Sequence, residues 1–255
     1  MPHDSETLGL IGYGRFGSAL ADLAHSVGLH PIAFDTTAPV PATRRAASLA
    51  DLAQRAESIL LAVPVPEIPA ALRDLAPHLT PRHLVLDAGS VKLAPIAAMR
   101  AALGTRVPWV GTHPLFGPIS LARAERPLRV VVCPNDQHPA ACARARARYE
   151  RLGCEVIEQD ADAHDRLMAE THALAFFIAK GLIETRAGEG AAFVPPSFHA
   201  MRAAVDAVRV DAGHLFSVIQ RDNPHAAAAR RSLIDALERI DRDLAGHSAL
   251  DIPTS

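Results

Sequence analysis

The chain has 255 residues, 49% of them hydrophobic and 21% charged, with a formal net charge of −2. That length buries a core as one large domain or two modest ones, and the composition excludes collagen-like, mostly disordered and coiled-coil chains. The weak net charge offers no field to recruit nucleic acid or an acidic membrane.

The three cysteines, Cys133, Cys142 and Cys154, lack C-x-x-C spacing and suggest neither a disulfide framework nor a zinc site. The apolar stretch Ile59 to Pro66 is too short to span a bilayer. The N-terminus shows no basic region followed by an apolar core, as a signal peptide would. A soluble, cytoplasmic protein is the expectation.

In chain order, Leu8 to Ile11 is an apolar run ending in glycine, and Phe16 to Val27 carries apolar residues at helical spacing. Strand signals follow at Pro31 to Phe34, Ser58 to Val63, His83 to Leu86, Pro108 to Gly111, Leu128 to Val132 and Cys154 to Ile157. Helix signals alternate with them at Ser48 to Ala56, Pro66 to Leu75, Val91 to Leu103 and Asp136 to Leu152. Ser58 to Val63 is apolar throughout, as in a strand buried on both faces of a parallel sheet. The alternation predicts a doubly wound α/β sheet over residues 1–159.

Residues 160–255 carry no convincing strand and read as all-α. Asp160 to Thr185 is predicted as one long helix, with further helices at Phe198 to Val210, Gly213 to Arg221 and Pro224 to Leu244. Asn223 before Pro224 is a helix-start signal. The long helix is apolar enough to need a partner surface, which a second copy of the chain would supply.

Gly12-Tyr13-Gly14-Arg15-Phe16-Gly17 is G-x-G-x-x-G between an apolar strand and an apolar-periodic helix, the context that makes the pattern a dinucleotide site. Gly12 permits the tight turn, Gly14 lets backbone approach a pyrophosphate, and Gly17 lets helix and strand pack closely. Arg15 offers a charge-assisted phosphate contact. Asp35, about 20 residues on, is placed to accept hydrogen bonds from a ribose diol and to repel a 2′-phosphate. NAD is therefore favoured over NADP, a preference that Arg44 and Arg45 downstream could soften. Val63-Pro64-Val65-Pro66 ends the third strand and is expected to line the cofactor crevice, unless its prolines merely punctuate a loop.

Asp87-Ala88-Gly89-Ser90-Val91-Lys92 follows the fourth strand and Gly111-Thr112-His113-Pro114-Leu115-Phe116-Gly117-Pro118 the fifth. Loops at the carboxyl ends of parallel strands converge on one crevice. A histidine there suits a general base, so His113 is the catalytic candidate. Ser90 is its candidate partner, either holding the imidazole or contacting substrate, and it also reads as the N-cap of the next helix.

With these strings the sequence resembles the prephenate/arogenate dehydrogenase family of tyrosine biosynthesis. The T-H-P-L-F-G-P string is far more specific than the glycine fingerprint, and Ala163-His164-Asp165-Arg166 and Thr171-His172 match more weakly. The resemblance implies a Rossmann domain followed by a helical dimerisation domain. It also implies oxidative decarboxylation of a cyclohexadiene with a nicotinamide cofactor. His113 matches the family's catalytic histidine, Ser90 its partner serine, and Thr171 and His172 the polar helix positions that face substrate.

The match departs in places. The ungapped alignment puts His199 where the family usually has a carboxylate-clamping arginine, and Arg202 lies one turn further on; either would have to serve. The second histidine of the S-H-x-x-H pattern is Ala175 here. Neither a fused chorismate mutase nor a regulatory ACT domain is visible. Asp211 falls where arogenate-preferring relatives tend to carry an acid, which would pair with the arogenate ammonium, so arogenate is favoured over prephenate. A solvated turn or cap is the alternative for Asp211.

Arg144, Arg146, Arg148 and Arg151 are read as a solvated helix face and Trp109 as packing. His164 and His172 lack a third ligand at metal spacing, so no metal is expected. Two rival readings are kept. One is another Rossmann-plus-helical reductase of β-hydroxyacid dehydrogenase or imine reductase type, for which Lys180 is the lysine available on the long helix. The other is a non-catalytic NAD-binding sensor.

Overall fold

The computed structural model describes residues 6–210 and 214–246; Asp211 lies outside the described residues. By their contacts the residues form two compact units, Met1–His164 and Asp165–Ser255.

The first unit is built on a seven-stranded sheet. Its strands are β1 (Thr7–Ile11), β2 (His30–Phe34), β3 (Ser58–Leu61), β4 (Leu84–Asp87), β5 (Trp109–Pro114), β6 (Leu128–Cys133) and β7 (Cys154–Glu158). They lie in the order β2-β1-β3-β4-β5-β6-β7. The first five are parallel, as expected where helices separate them: α1 (Arg15–Ser26), α2 (Leu49–Arg55), α3 (Ile68–Leu75) and α4 (Leu93–Leu103). Strand β6 is antiparallel to β5. The link between them holds only the five-residue α5 (Pro118–Ala122), too short for the usual crossover helix, so the chain reverses. A full helix, α6 (Pro139–Arg151), restores parallel pairing between β6 and β7.

Every residue of β3, β4 and β5 is buried, the mark of strands covered on both faces. Leu8, Leu10, Leu60, Leu84, Leu86 and Val110 form one core with Leu20 and Ala24 of α1 and Ala145 and Tyr149 of α6. Each fully buried leucine contributes about 1.5–3 kcal/mol relative to exposure.

One sequence expectation fails on α6. Arg148 is 1% exposed and its Nη2 donates to Ser58 Oγ at 3.3 Å. It shares the inward face with Ala141, Ala145 and Tyr149. Arg146 does reach outward, to Glu158 and Glu150.

Helix α7 (Ala161–Met168), which begins in the first unit, and α8 (Leu174–Glu184) of the second are not one regular α-helix; a single π turn, Ala169–Ala173, joins them. Gln220 Nε2 donates to the Ala173 carbonyl at 2.6 Å, and Arg230 Nη1 donates to Gln220 Oε1 at 2.7 Å. The backbone group at the end of the π turn is thereby satisfied from outside the helix. Helices α9 (Pro196–Val210), α10 (His214–Arg221) and α11 (Ala226–Ala245) follow. Phe176 and Ala179 of α8, Val208 of α9 and Ile219 of α10 form one core.

The helix start expected at Asn223–Pro224 comes later, at Ala226 with His225 as N-cap. Asn223 instead ties the preceding turn: its Oδ1 accepts from His225 N at 2.9 Å, and its Nδ2 donates to the Asp165 carbonyl at 2.7 Å. Among the described residues no helix is long and apolar enough to cross a membrane.

Candidate active site

The glycine loop leaves β1 through Gly12, whose φ of 98° lies in the left-handed region. A Cβ there would stand 2.5 Å from the Ala62 carbonyl oxygen, and one on Gly17 would stand 2.3 Å from the carbonyl oxygen of Gly12. Both positions therefore require glycine: the turn is tight, and α1 sits directly on it. Gly14 is the N-cap of α1, and a Cβ on it would meet nothing within 4 Å. The amide end of α1 thus faces open space beside an exposed Arg15, which fits a pyrophosphate. Tyr13 is buried and Phe16 half-buried.

At the end of β2, Asp35 Oδ2 accepts from Tyr13 N at 2.6 Å, and Oδ1 accepts from Thr37 N and Ala38 N, each at 2.7 Å. Partial burial pushes this carboxyl up, but the N–H donors of Tyr13, Ala38 and Thr37 together outweigh it and hold it below the usual range. Asp35 is ionised at neutral pH. It borders a hollow of about 280 Å³ lined by Phe34, Ala38, Val40 and Arg45. Neither arginine downstream answers the acid. Arg44 Nη1 donates to Tyr13 Oη at 3.0 Å and Asp22 at 2.6 Å, and Arg45 donates to the Val40 carbonyl.

Beyond β3, Val63 is half-buried, Pro64 and Pro66 are exposed, and Val65 opens a short 3-10 turn. The loop after β4 lies against it: a Cβ on Gly89 would stand 2.9 Å from Val65 Cγ2.

Asp87 ends β4 and is fully buried, as is Lys92. The Lys92 ammonium donates to Asp87 Oδ2 and to the Thr112 carbonyl. Asp87 Oδ1 accepts from Thr112 N at 2.9 Å, and Oδ2 from Gly89 N at 2.9 Å. The Thr112 hydroxyl donates to the Asp87 carbonyl. Its proton is therefore committed, and Tyr149 Oη donates to Thr112 Oγ1 at 2.7 Å. Burial pushes the Tyr149 phenol far up, which keeps it a donor. This network locks the end of β4 to the strand that carries His113.

Ser90 is buried in the same loop, at 7% exposure. It does not cap α4, which starts at Leu93 with Lys92 at the N-cap.

His113, at the end of β5, is 6% exposed. Its Nδ1 lies 2.9 Å from Nε2 of His164, with the ring planes at 80°. Past it the chain turns back, and Phe116 packs on Phe16 of α1 with ring centroids 6.3 Å apart. The loops after β1, β3, β4 and β5 thus gather at one edge of the sheet, where an open α/β sheet binds ligands.

The other expected site residues lie in the second unit. Thr171 and His172 fall on the π turn, a feature frequent at functional sites. Thr171 is exposed and its Oγ1 donates back to the Leu167 carbonyl at 2.6 Å, while His172 meets Phe176 edge-on at 4.7 Å. His199 and Arg202 are both exposed on α9.

Sequence reasoning missed the parts played by Asp87, Lys92, Thr112, Tyr149 and His164. One signal was present: a carboxylate closing an otherwise apolar strand, five residues before a lysine.

Residues 41–158 match the family model of the prephenate dehydrogenase nucleotide-binding domain. The chain is also 32% identical over 220 residues to the 4-amino-4-deoxyprephenate dehydrogenase of Streptomyces pristinaespiralis, an alignment covering 84% of this chain and 70% of that one. This chain belongs to the prephenate/arogenate dehydrogenase family. A further family relative, the cyclohexadienyl dehydrogenase of Zymomonas mobilis, is 28% identical, with 93% of this chain and 85% of that one covered. The fold is that of the prephenate dehydrogenase from A. aeolicus, solved with hydroxyphenyl propionate and NAD+. The TM-score is 0.75 at 16% identity, over 97% of this chain and 93% of that one.

Residues 2–70 match a different model, the NAD binding domain of D-isomer specific 2-hydroxyacid dehydrogenases. The division is informative. The glycine loop is shared with other nucleotide-binding dehydrogenases, while the family-specific match spans Asp87–Lys92 and Gly111–Pro118.

Proposed function

We propose that the chain catalyses the NAD-dependent oxidative decarboxylation of arogenate, prephenate or both, in tyrosine biosynthesis in the cytoplasm. The observation that carries this reading is His113, buried at the strand edge where the glycine loop and the Asp87–Lys92 loop also lie. Gly12, Gly14, Gly17 and the amide end of α1 would hold the pyrophosphate and Asp35 the ribose diol, with Tyr13, Arg15, Phe16, Val63, Pro64 and Pro66 beside them. Bound NAD supplies the hydride acceptor.

His113 takes the proton of the C4 hydroxyl as the C4–H bond breaks. Loss of the ring carboxylate as carbon dioxide then leaves an aromatic ring. Aromatisation supplies the driving force, so the protein's task is to place a base, orient the ring and recognise carboxylates. Ser90, Thr171 and His172 are the candidates for orientation, and His199 and Arg202 for a carboxylate.

The first unit would be the dinucleotide-binding domain and the second the substrate and dimerisation domain. Leu237, Ile240 and Leu244 recur on one face of α11 and are 54%, 46% and 58% exposed. That stripe supports a homodimer through the C-terminal helices. Sedimentation equilibrium is expected to return about twice the 27.1 kDa of the chain, and a monomer at micromolar concentration would overturn it.

A second reading concerns the group at C4. The Streptomyces relative is named for a substrate with an amino group there, and such a group can surrender a proton to the same base. The β-hydroxyacid dehydrogenase reading has less support, because Lys180 is a half-buried helix residue paired with Glu184 one turn on.

The deciding experiment follows NADH formation with arogenate, prephenate and 4-amino-4-deoxyprephenate in parallel, each with NAD and with NADP. Arogenate with NAD is expected to be fastest, because Asp211 offers an acid to its ammonium and Asp35 repels a 2′-phosphate. Faster prephenate would remove the Asp211 argument, and equal use of NADP the Asp35 argument. No turnover of any substrate by protein that binds NADH would favour the sensor.

A further inference from the structure

We infer that His164 is a positioning residue for His113, holding its imidazole in the tautomer whose Nε2 carries no hydrogen. This rests on the reading of His113 as the base. His164 is fully buried, in the opening turns of α7, and its Nε2 stands 2.9 Å from Nδ1 of His113. Two ring nitrogens at that distance share one proton. If His113 Nδ1 carries it, Nε2 of His113 has a lone pair for a substrate hydroxyl. If His164 Nε2 carries it, His113 is protonated at Nε2 and cannot accept a proton there. The contact is therefore a choice between a competent and an incompetent base, and the proposed chemistry requires the first.

The near-perpendicular ring planes, at 80°, fix the rotation of His113 as well as its proton. The partner is an imidazole ring rather than a carboxylate. Such an acceptor orients the base without adding negative charge beside it, which suits a reaction driven by aromatisation. When His113 takes the substrate proton at Nε2, its Nδ1–H remains donated to His164, and both rings together carry one positive charge.

The direct test uses the full protein with isotope-labelled histidine. Nitrogen–proton correlation spectra read which ring nitrogens carry hydrogen, and His113→Asn and His164→Gln assign the signals. His113 is expected to carry its hydrogen at Nδ1 and none at Nε2, with none on Nε2 of His164; the opposite placement overturns the inference.

The kinetic test compares two variants. His164→Ala is expected to lower kcat by about 10- to 100-fold, with KM and NADH affinity changed by less than about two-fold. His164→Gln places an amide oxygen near the lost Nε2 and is expected to recover most of that loss. A folded Gln variant as slow as Ala, or an Ala variant as fast as wild type, overturns positioning. Should both variants fail to fold, the tautomer in the wild-type protein decides, with the two rings assigned from the coupling across their shared proton. Turnover surviving in His113→Asn would instead defeat the base reading itself, whatever the His164 variants do.

Discussion

Replacing His113 by asparagine is expected to lower kcat by about 10²–10⁴-fold, the usual contribution of a positioned general base. Asparagine keeps a polar atom near the old Nδ1, so the contact toward His164 survives while the atom that would accept the substrate proton is gone. NAD affinity should change little, because the cofactor residues lie elsewhere: Gly12 to Gly17 after β1 and Asp35 after β2. Titration of protein fluorescence with NADH and turnover by NADH absorbance, on the same preparation, separate the two effects. Undiminished turnover would end the assignment of His113 as base. Lost cofactor binding would show that the substitution disturbs the loop rather than the chemistry.

The second large effect is expected on stability. Lys92→Met keeps the length of the side chain and removes its charge. Asp87 would then be a fully buried carboxylate that retains the N–H groups of Gly89 and Thr112 but has lost its ammonium. Breaking one side of a buried pair costs about 3–5 kcal/mol, mostly from the charge left uncompensated. Urea unfolding measures it directly. Adding Asp87→Asn to the same chain should recover part of the loss, since the remaining partner is then neutral. A loss below about 1 kcal/mol in the single variant would mean that the pair is no stronger than an exposed one. Turnover should fall too, because Lys92 also holds the Thr112 carbonyl, one residue before His113.

Much of the first unit is legible in the sequence because its central strands are mostly apolar runs and its helices carry helical spacing. Leu60, Leu86 and Val110 have to be inside whatever the details. The glycine pattern is equally legible, since the left-handed φ of Gly12 and the close approach of Gly17 to the Gly12 carbonyl are demands set within one loop. The reversal of β6 was less so. Orientation depends on whether the link can hold a crossover, and α5 is a single short turn of helix that leaves no periodic signal.

Local sequence determined the strand–helix alternation, the glycine turn, the acid after β2 and the histidine-bearing loop, because each depends on residues a few places apart. The tertiary structure decided what those residues touch. Arg148 lies inside because a helix face, not a charge count, sets its direction. The π turn under Thr171 and His172 is met by a glutamine 47 positions from Ala173. The nitrogen facing His113 comes from a histidine 51 positions away. Contacts at such separations follow from the packing of whole elements, and no periodicity within one element encodes them.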